Sequence, residues 1–331
     1  MGFEWTGSYQ NEEGRDSGGH RTVIFEDLAP CADYWIGAGI RTEIKDIWGV
    51  EGYTRREEFV LTPHSLIVAH ELADSECGPT RRLSWFHHPA LYPPRPVDWS
   101  LGINRLGDRL VEIHSEHGSS ECWDPFQDGC EWRINGERFT SKGSVQVALQ
   151  HGYQLGFVGA TDNHEARPGS VRNGAGPIAS NYDENGDGLV DPSHQMHSAG
   201  AVSGVLFAGD TVSRSALFDG LEARNTVAAS FMVDSLRVAA IGQDGVVYLP
   251  GDAVPADASP LHLMLELEDD RIDLWTVQLL DPWNDLHARV EEPQLDMDMD
   301  MAPGEVRYIR VRAWNGGIEH RIWISPFFGI E

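Results

Sequence analysis

An α/β fold followed by a small antiparallel β-sandwich is the class the sequence predicts, and two textures along the chain predict it. Up to about residue 230, short apolar runs alternate with stretches of helical character, the pattern of parallel β/α units. From about residue 231, apolar and polar residues alternate with period two between turns of Gly, Pro, Asp and Asn, the pattern of a sandwich. The 331 residues suffice for two such domains, 1–230 and 231–331.

In the first region, residues 21–25, 83–86, 110–113 and 155–159 read as buried strands, each followed by polar or His-bearing residues. Residues just past strand C-termini build the sites of β/α folds. Residues 144–151 suit a helix, with Gly152 as its C-terminal cap. In the second region, residues 235–241, 261–267, 272–279, 306–312 and 321–325 read as strands. Asn315-Gly316-Gly317 offers hairpin chemistry between the last two. The Asp-Met repeat at 295–301 reads as a loop or an exposed edge.

Charge narrows the partners. With 25 Lys and Arg against 52 Asp and Glu, the formal charge is −27, which disfavours nonspecific nucleic-acid binding by repelling phosphate backbones. No window reaches about eighteen uninterrupted apolar residues, so no membrane span is expected. No signal-peptide pattern follows Met1. The carboxylate excess favours an extracytoplasmic location, periplasmic or secreted, over the cytoplasm. None of the four cysteines forms a CxxC pair, which argues against a zinc ribbon or a thioredoxin-type site. Cys122 and Cys130 flank a turn-rich segment, as a disulfide or as two free thiols.

The chain has 14 histidines, and their positions matter more than their number. His87 and His88 follow the strand ending at Phe86, His114 and His117 follow Ile113, and Asp162 and His164 follow Gly159. His20 directly precedes the strand at 21–25. With Glu4, these form a candidate multi-metal ligand set, because borderline divalent ions (Zn²⁺, Mn²⁺ or Fe²⁺) accept imidazole and carboxylate together. Asp162 and His164, two apart in extended chain, project to one side. A lone histidine beside an aromatic is more often a packing residue, and His64, His262, His287 and His320 are read as structural or exposed. His151 is read as a helix-dipole partner.

Five segments in the same order carry a more specific resemblance. They are Gly2-Phe3-Glu4-Trp5-Thr6 with Gly19-His20-Arg21-Thr22-Val23-Ile24-Phe25; Phe86-His87-His88-Pro89; Val111 to Glu121; Gly159 to Gly169; and Ala216 to Thr226. Together they resemble the PHP (polymerase and histidinol phosphatase-like) superfamily, DUF3604 branch, over 1–230. The resemblance implies a distorted β/α barrel with a two- or three-metal centre. It implies Glu4 as bridging carboxylate, with His20, His88 or its neighbour His87, His117, Asp162 and His164 as further ligands. Arg167 would meet an anionic leaving or phosphoryl oxygen of a small-molecule substrate. His114, where the family tends to carry an aromatic, is not expected to ligate. No His-x-His motif precedes Glu4, so the expectation is an incomplete barrel, a truncated chain, and weak or no hydrolysis by this chain alone.

A second motif stands apart. Asp183, Asn185, Asp187, Leu189 and Asp191 match the alternate positions of a calcium loop, with Gly188 allowing the turn. His194 stands where an EF-hand has its bidentate Glu, so the loop reads either as a calcium site or as an acidic surface insertion. The function expected is metal-dependent hydrolysis of a phosphoester through a metal-activated water. The rivals are an amidohydrolase-like enzyme acting on another bond and a non-catalytic binding protein.

Overall fold

The structure is a computed structural model that describes residues 2–10, 16–26, 81–91, 97–101, 108–115, 117–124, 127–130, 140–161, 200–207 and 212–331. For residues 2–10, 16–21, 23, 25 and 101 the description is of the backbone. In chain order the first elements are β1 (Gly2–Gln10), β2 (Asp16–Phe25), β3 (Arg82–His87), β4 (Leu110–Ser115) and β5 (Gly118–Ser119). Then come α1 (Val145–Gln150), β6 (Gly156–Gly159), β7 (Val202–Val205), α2 (Arg214–Glu222) and β8 (Thr226–Ala229). The remainder is strand: β9 (Ser235–Ile241), β10 (Val247–Tyr248), β11 (Ala253–Pro255), β12 (Leu261–Glu268), β13 (Leu274–Leu280), β14 (Leu286–Val290), β15 (Gln294–Met299), β16 (Val306–Asn315) and β17 (Ile318–Ile330).

The first six strands form one sheet in the order β1-β2-β3-β4-β5, with β6 beside β4. Within it β3, β4 and β6 run parallel, while β1, β2 and β5 join antiparallel. The parallel strands β4 and β6 are connected through α1, whose start is capped by Ser144 Oγ accepting from Val147 N at 3.4 Å. Gly152 follows its end with φ +80°, a conformation glycine adopts without penalty. This β/α unit is as the sequence predicts. Beyond that unit the described residues are mostly strand, with two α-helices, and form no closed barrel. The reason is physical, since an apolar run marks a buried strand without specifying whether its neighbour is parallel or antiparallel.

The C-terminal strands form two antiparallel-dominated sheets. One has the order β10-β9-β12-β15; the other has β14-β13-β16-β17-β8-β7, with β11 beside β17. A shared apolar core lies between them, including Leu263 and Leu265 of β12, Ile309 and Val311 of β16, and Ile322 and Ile324 of β17. That is a β-sandwich. Each such fully buried aliphatic side chain contributes about 1.5–3 kcal/mol. The larger sheet takes in Val202–Val205 and Thr226–Ala229 as well as the later strands. β16 and β17 meet in a two-residue turn, Gly316-Gly317, both at positive φ, closed by the pair Asn315 and Ile318. The Asp-Met repeat forms the edge strand β15, burying Leu295 and Met299 and exposing Asp296 and Asp298.

Period two sends the intervening residues of β16 and β17 to the opposite face of the larger sheet. There Tyr308, Trp323 and Phe328 share a second core with Phe86, Val111, Ile113, Phe157 and residues of α1. The larger sheet is thus covered on both faces, by its sandwich partner and by the first sheet. No helix among the described residues is long and apolar enough to cross a membrane.

Candidate metal centre

Strand register brings the first candidates together at the level of the backbone. Glu4 of β1 lies opposite Thr22 of β2, and His20 of β2 lies opposite His87, the last residue of β3. β3 is parallel to β4 with Phe86 beside Val111, so His87 and Glu112 come next in step. Glu112 is the lone acid within a strand that is buried along its whole length. A carboxylate in that position needs partners, because an unpaired buried charge costs several kcal/mol.

The partners come from the end of β3. His87 Nδ1 is 2.5 Å from Glu112 Oε2, and the backbone N–H of His88 donates to Glu112 Oε1 at 3.2 Å. His88 adopts φ 32°, an unfavourable backbone for a residue with a Cβ, held by this contact. The His87 and His88 rings lie 4.0 Å apart, and the His117 ring is edge-on to His88 at 5.4 Å. His117 sits in the turn between β4 and β5, its backbone N–H donating to Ser115 Oγ at 3.3 Å and Gly118 supplying φ +110°. Three imidazoles from two strand ends therefore form a contiguous row over a buried carboxylate.

The motif residues after His117 serve the scaffold. Ser119 Oγ donates to Ile113 O at 3.3 Å and accepts from Glu121 N at 3.1 Å. Glu121 points into the seam with the larger sheet, where Tyr308 Oη, Arg310 Nη1 and Trp323 Nε1 donate to it at 2.9, 2.9 and 2.7 Å. Cys122 and Cys130 are joined by a disulfide with Cα atoms 5.7 Å apart. The loop it closes offers Asp128 O to Arg310 Nη2 at 3.2 Å and Gly129 O to Arg321 Nη1. His114 is stacked on Trp323, with ring centroids 5.0 Å apart and planes 26° apart. Burial, and secondarily the Arg321 guanidinium, push its pKa down to about 3, so it is neutral.

Of the expected ligands, the structure brings His87, His88 and His117 into one row and aligns His20 with His87 in register. Glu4 is placed as backbone, in the outer strand of that sheet. Asp162, His164 and Arg167 lie outside the described residues, which stop at Thr161 just past β6. So do Asp183, Asn185, Asp187, Leu189 and Asp191 of the calcium motif. Among the described residues, no three His, Cys, Asp or Glu side chains converge as a metal-holding group. Sequence reasoning missed Glu112 as the group that orients His87. The signal was available in Val111-Glu112-Ile113, an acid in the middle of an apolar strand. Family models, curated proteins and solved structures contain no match to this chain.

Proposed function

We propose that this chain carries the metal centre of a metal-dependent hydrolase of the polymerase and histidinol phosphatase type, acting on a small phosphoester. The observation that carries this reading is the buried Glu112 carboxylate on His87 Nδ1, beside the rings of His88 and His117. Metal-binding imidazoles characteristically give one ring nitrogen to a carboxylate, which sets the tautomer and raises the basicity of the other. The parallel strands β3, β4 and β6 support the finer reading of a β/α-barrel core.

In this reading Glu4, His20, His87 or His88, His117, Asp162 and His164 hold two or three Zn²⁺, Mn²⁺ or Fe²⁺ ions. Bound ions of this kind activate water as a nucleophile near neutral pH and polarise a phosphoryl oxygen. Glu112 keeps His87 oriented, and Arg167 meets the anionic substrate with its guanidinium fork. The Cys122–Cys130 disulfide supports an extracytoplasmic location.

The test is elemental analysis of the purified chain after loading with Zn²⁺, Mn²⁺ or Fe²⁺, with p-nitrophenyl phosphate, an amide and a lactone as substrates. Retained transition metal that is lost in His87→Ala, with any turnover confined to the phosphate ester, is the expected result. A wild-type chain that keeps no transition metal overturns the proposal, and turnover of the amide or lactone alone overturns the phosphoester assignment.

A further inference from the structure

A second site, not lined by His87, His88 or His117, is a cleft of about 360 Å³ between the turn after α1 and the larger sheet. Leu149, Tyr153, Val306 and Phe328 line it together with the segment 281–283 that follows β13. Trp283 projects at its edge and is 54% exposed.

The turn bearing Trp283 is tied down on every side. Asp281 Oδ1 accepts from the backbone N–H groups of Trp283 and Asp285 at 2.9 and 3.0 Å. Gln150 Nε2 donates to Pro282 O at 2.8 Å, and Gln127 Nε2 donates to Trp283 O at 3.4 Å. Asn284, at φ 64°, donates from Nδ2 to Asp128 O at 3.2 Å and accepts at Oδ1 from Gln146 and Arg310, each at 3.3 Å. Seven hydrogen bonds therefore immobilise a five-residue turn whose large aromatic side chain is left more than half in water. A flat apolar face held in place beforehand binds with little loss of conformational entropy.

The rim decides what the face would take. Its polar side chains contact one another: His287 Nε2 lies 3.2 Å from Asp281 Oδ2, and Arg307 Nη2 pairs with Glu305 Oε1 at 3.0 Å. Such a rim presents amide, imidazole, carboxylate and guanidinium groups that donate and accept hydrogen bonds. A neutral ligand with one apolar face and many hydroxyls matches both features. The volume is at the small end of ligand pockets, which run from about 300 to 1,000 Å³, and suits one or two sugar rings.

We propose that this cleft is a carbohydrate-binding site, taking a pyranose unit stacked on Trp283 with its hydroxyls on the Glu305, Arg307 and His287 rim. The site is independent of the metal centre and needs no turnover. Cellobiose, maltose and N,N′-diacetylchitobiose, each at about 10 mM, are the probes for saturation-transfer NMR and calorimetry on the full chain. At least one is expected to bind, with affinity about tenfold lower in Trp283→Ala and within about threefold of wild type in Trp283→Phe. Glu305→Gln, which leaves the platform in place, is expected to weaken the same sugar. The melting temperature of Trp283→Ala is expected to match wild type, since the side chain is largely exposed. Failure of all three sugars to bind, or binding indifferent to both Trp283→Ala and Glu305→Gln, overturns the proposal.

Discussion

Arg310 Nη1 lies 2.9 Å from Glu121 Oε1, and each of the two side chains is only 1% exposed. The pair crosses the seam between the first sheet and the sandwich, and Tyr308 and Trp323 complete the carboxylate's shell. A charge cluster of this kind holds elements in register, because opening the seam strands the carboxylate in an apolar setting.

Removing one member of that pair is therefore expected to cost more than removing both. Arg310→Met leaves Glu121 buried and unpaired, for a loss of about 3–5 kcal/mol. The double variant Glu121→Leu/Arg310→Met is expected to be more stable than the Arg310→Met single variant. Urea unfolding of the four members of the cycle measures this; additive losses would show that the two groups do not act as a unit.

Gly129 is required by the same cluster. It has φ +83°, and a Cβ there would collide with the Arg310 guanidinium. Gly152, at φ +80°, has open space where its Cβ would stand. Both alanine substitutions incur backbone strain of about 1–2 kcal/mol. Gly129→Ala alone also displaces Arg310, so its melting temperature is expected to fall well below that of Gly152→Ala. Equal losses in the two variants would separate Gly129 from the cluster.

His114 gives the protein an acid-sensitive window. Its folded pKa is lowered from 6.5 to about 3, so between those values the unfolded chain takes a proton that the folded chain refuses. Its contribution to stability is lost as pH falls through that interval, at up to about 1.4 kcal/mol per pH unit. His114→Phe keeps a ring against Trp323 and removes the proton. The stability lost between pH 7 and pH 5 is expected to shrink by about 2 kcal/mol in that variant. Chemical unfolding at the two pH values decides it, and an unchanged difference would mean that His114 is protonated when folded.

Much of the strand content was legible because buried strands announce themselves by apolar runs and period two. Residues 235–241 and 306–312 lie in strands as expected, and Gly316-Gly317 turns the last hairpin. What covers a strand's polar face was not legible. Arg310 reads as an outward position in an alternating strand, yet the first sheet lies over it and buries it. Periodicity separates two faces without saying whether the second meets water or another layer. The same limit hid Glu112, whose role depends on β3 running parallel beside β4. His87, His88 and His117 stood out as candidates because their residue type and place after strands carry chemistry that burial alone does not.

The carboxylate on His87 yields the most direct test of the candidate centre. Glu112→Gln keeps the size and an oxygen acceptor for His87 Nδ1 but removes the charge that makes the imidazole more basic. Loss of such a supporting carboxylate lowers metal affinity by about 10–100-fold. The expected result is weaker Zn²⁺ or Mn²⁺ binding by calorimetry, in that range for Glu112→Gln and larger for His87→Ala. Far-ultraviolet circular dichroism of Glu112→Gln is expected to match wild type, since the side chain it replaces has the same shape. His114→Ala serves as the contrasting variant, because that ring packs on Trp323 and takes no part in the row formed by His87, His88 and His117. Metal affinity that falls equally in Glu112→Gln and His114→Ala would reduce Glu112 to a packing role and leave His87 without its orienting partner.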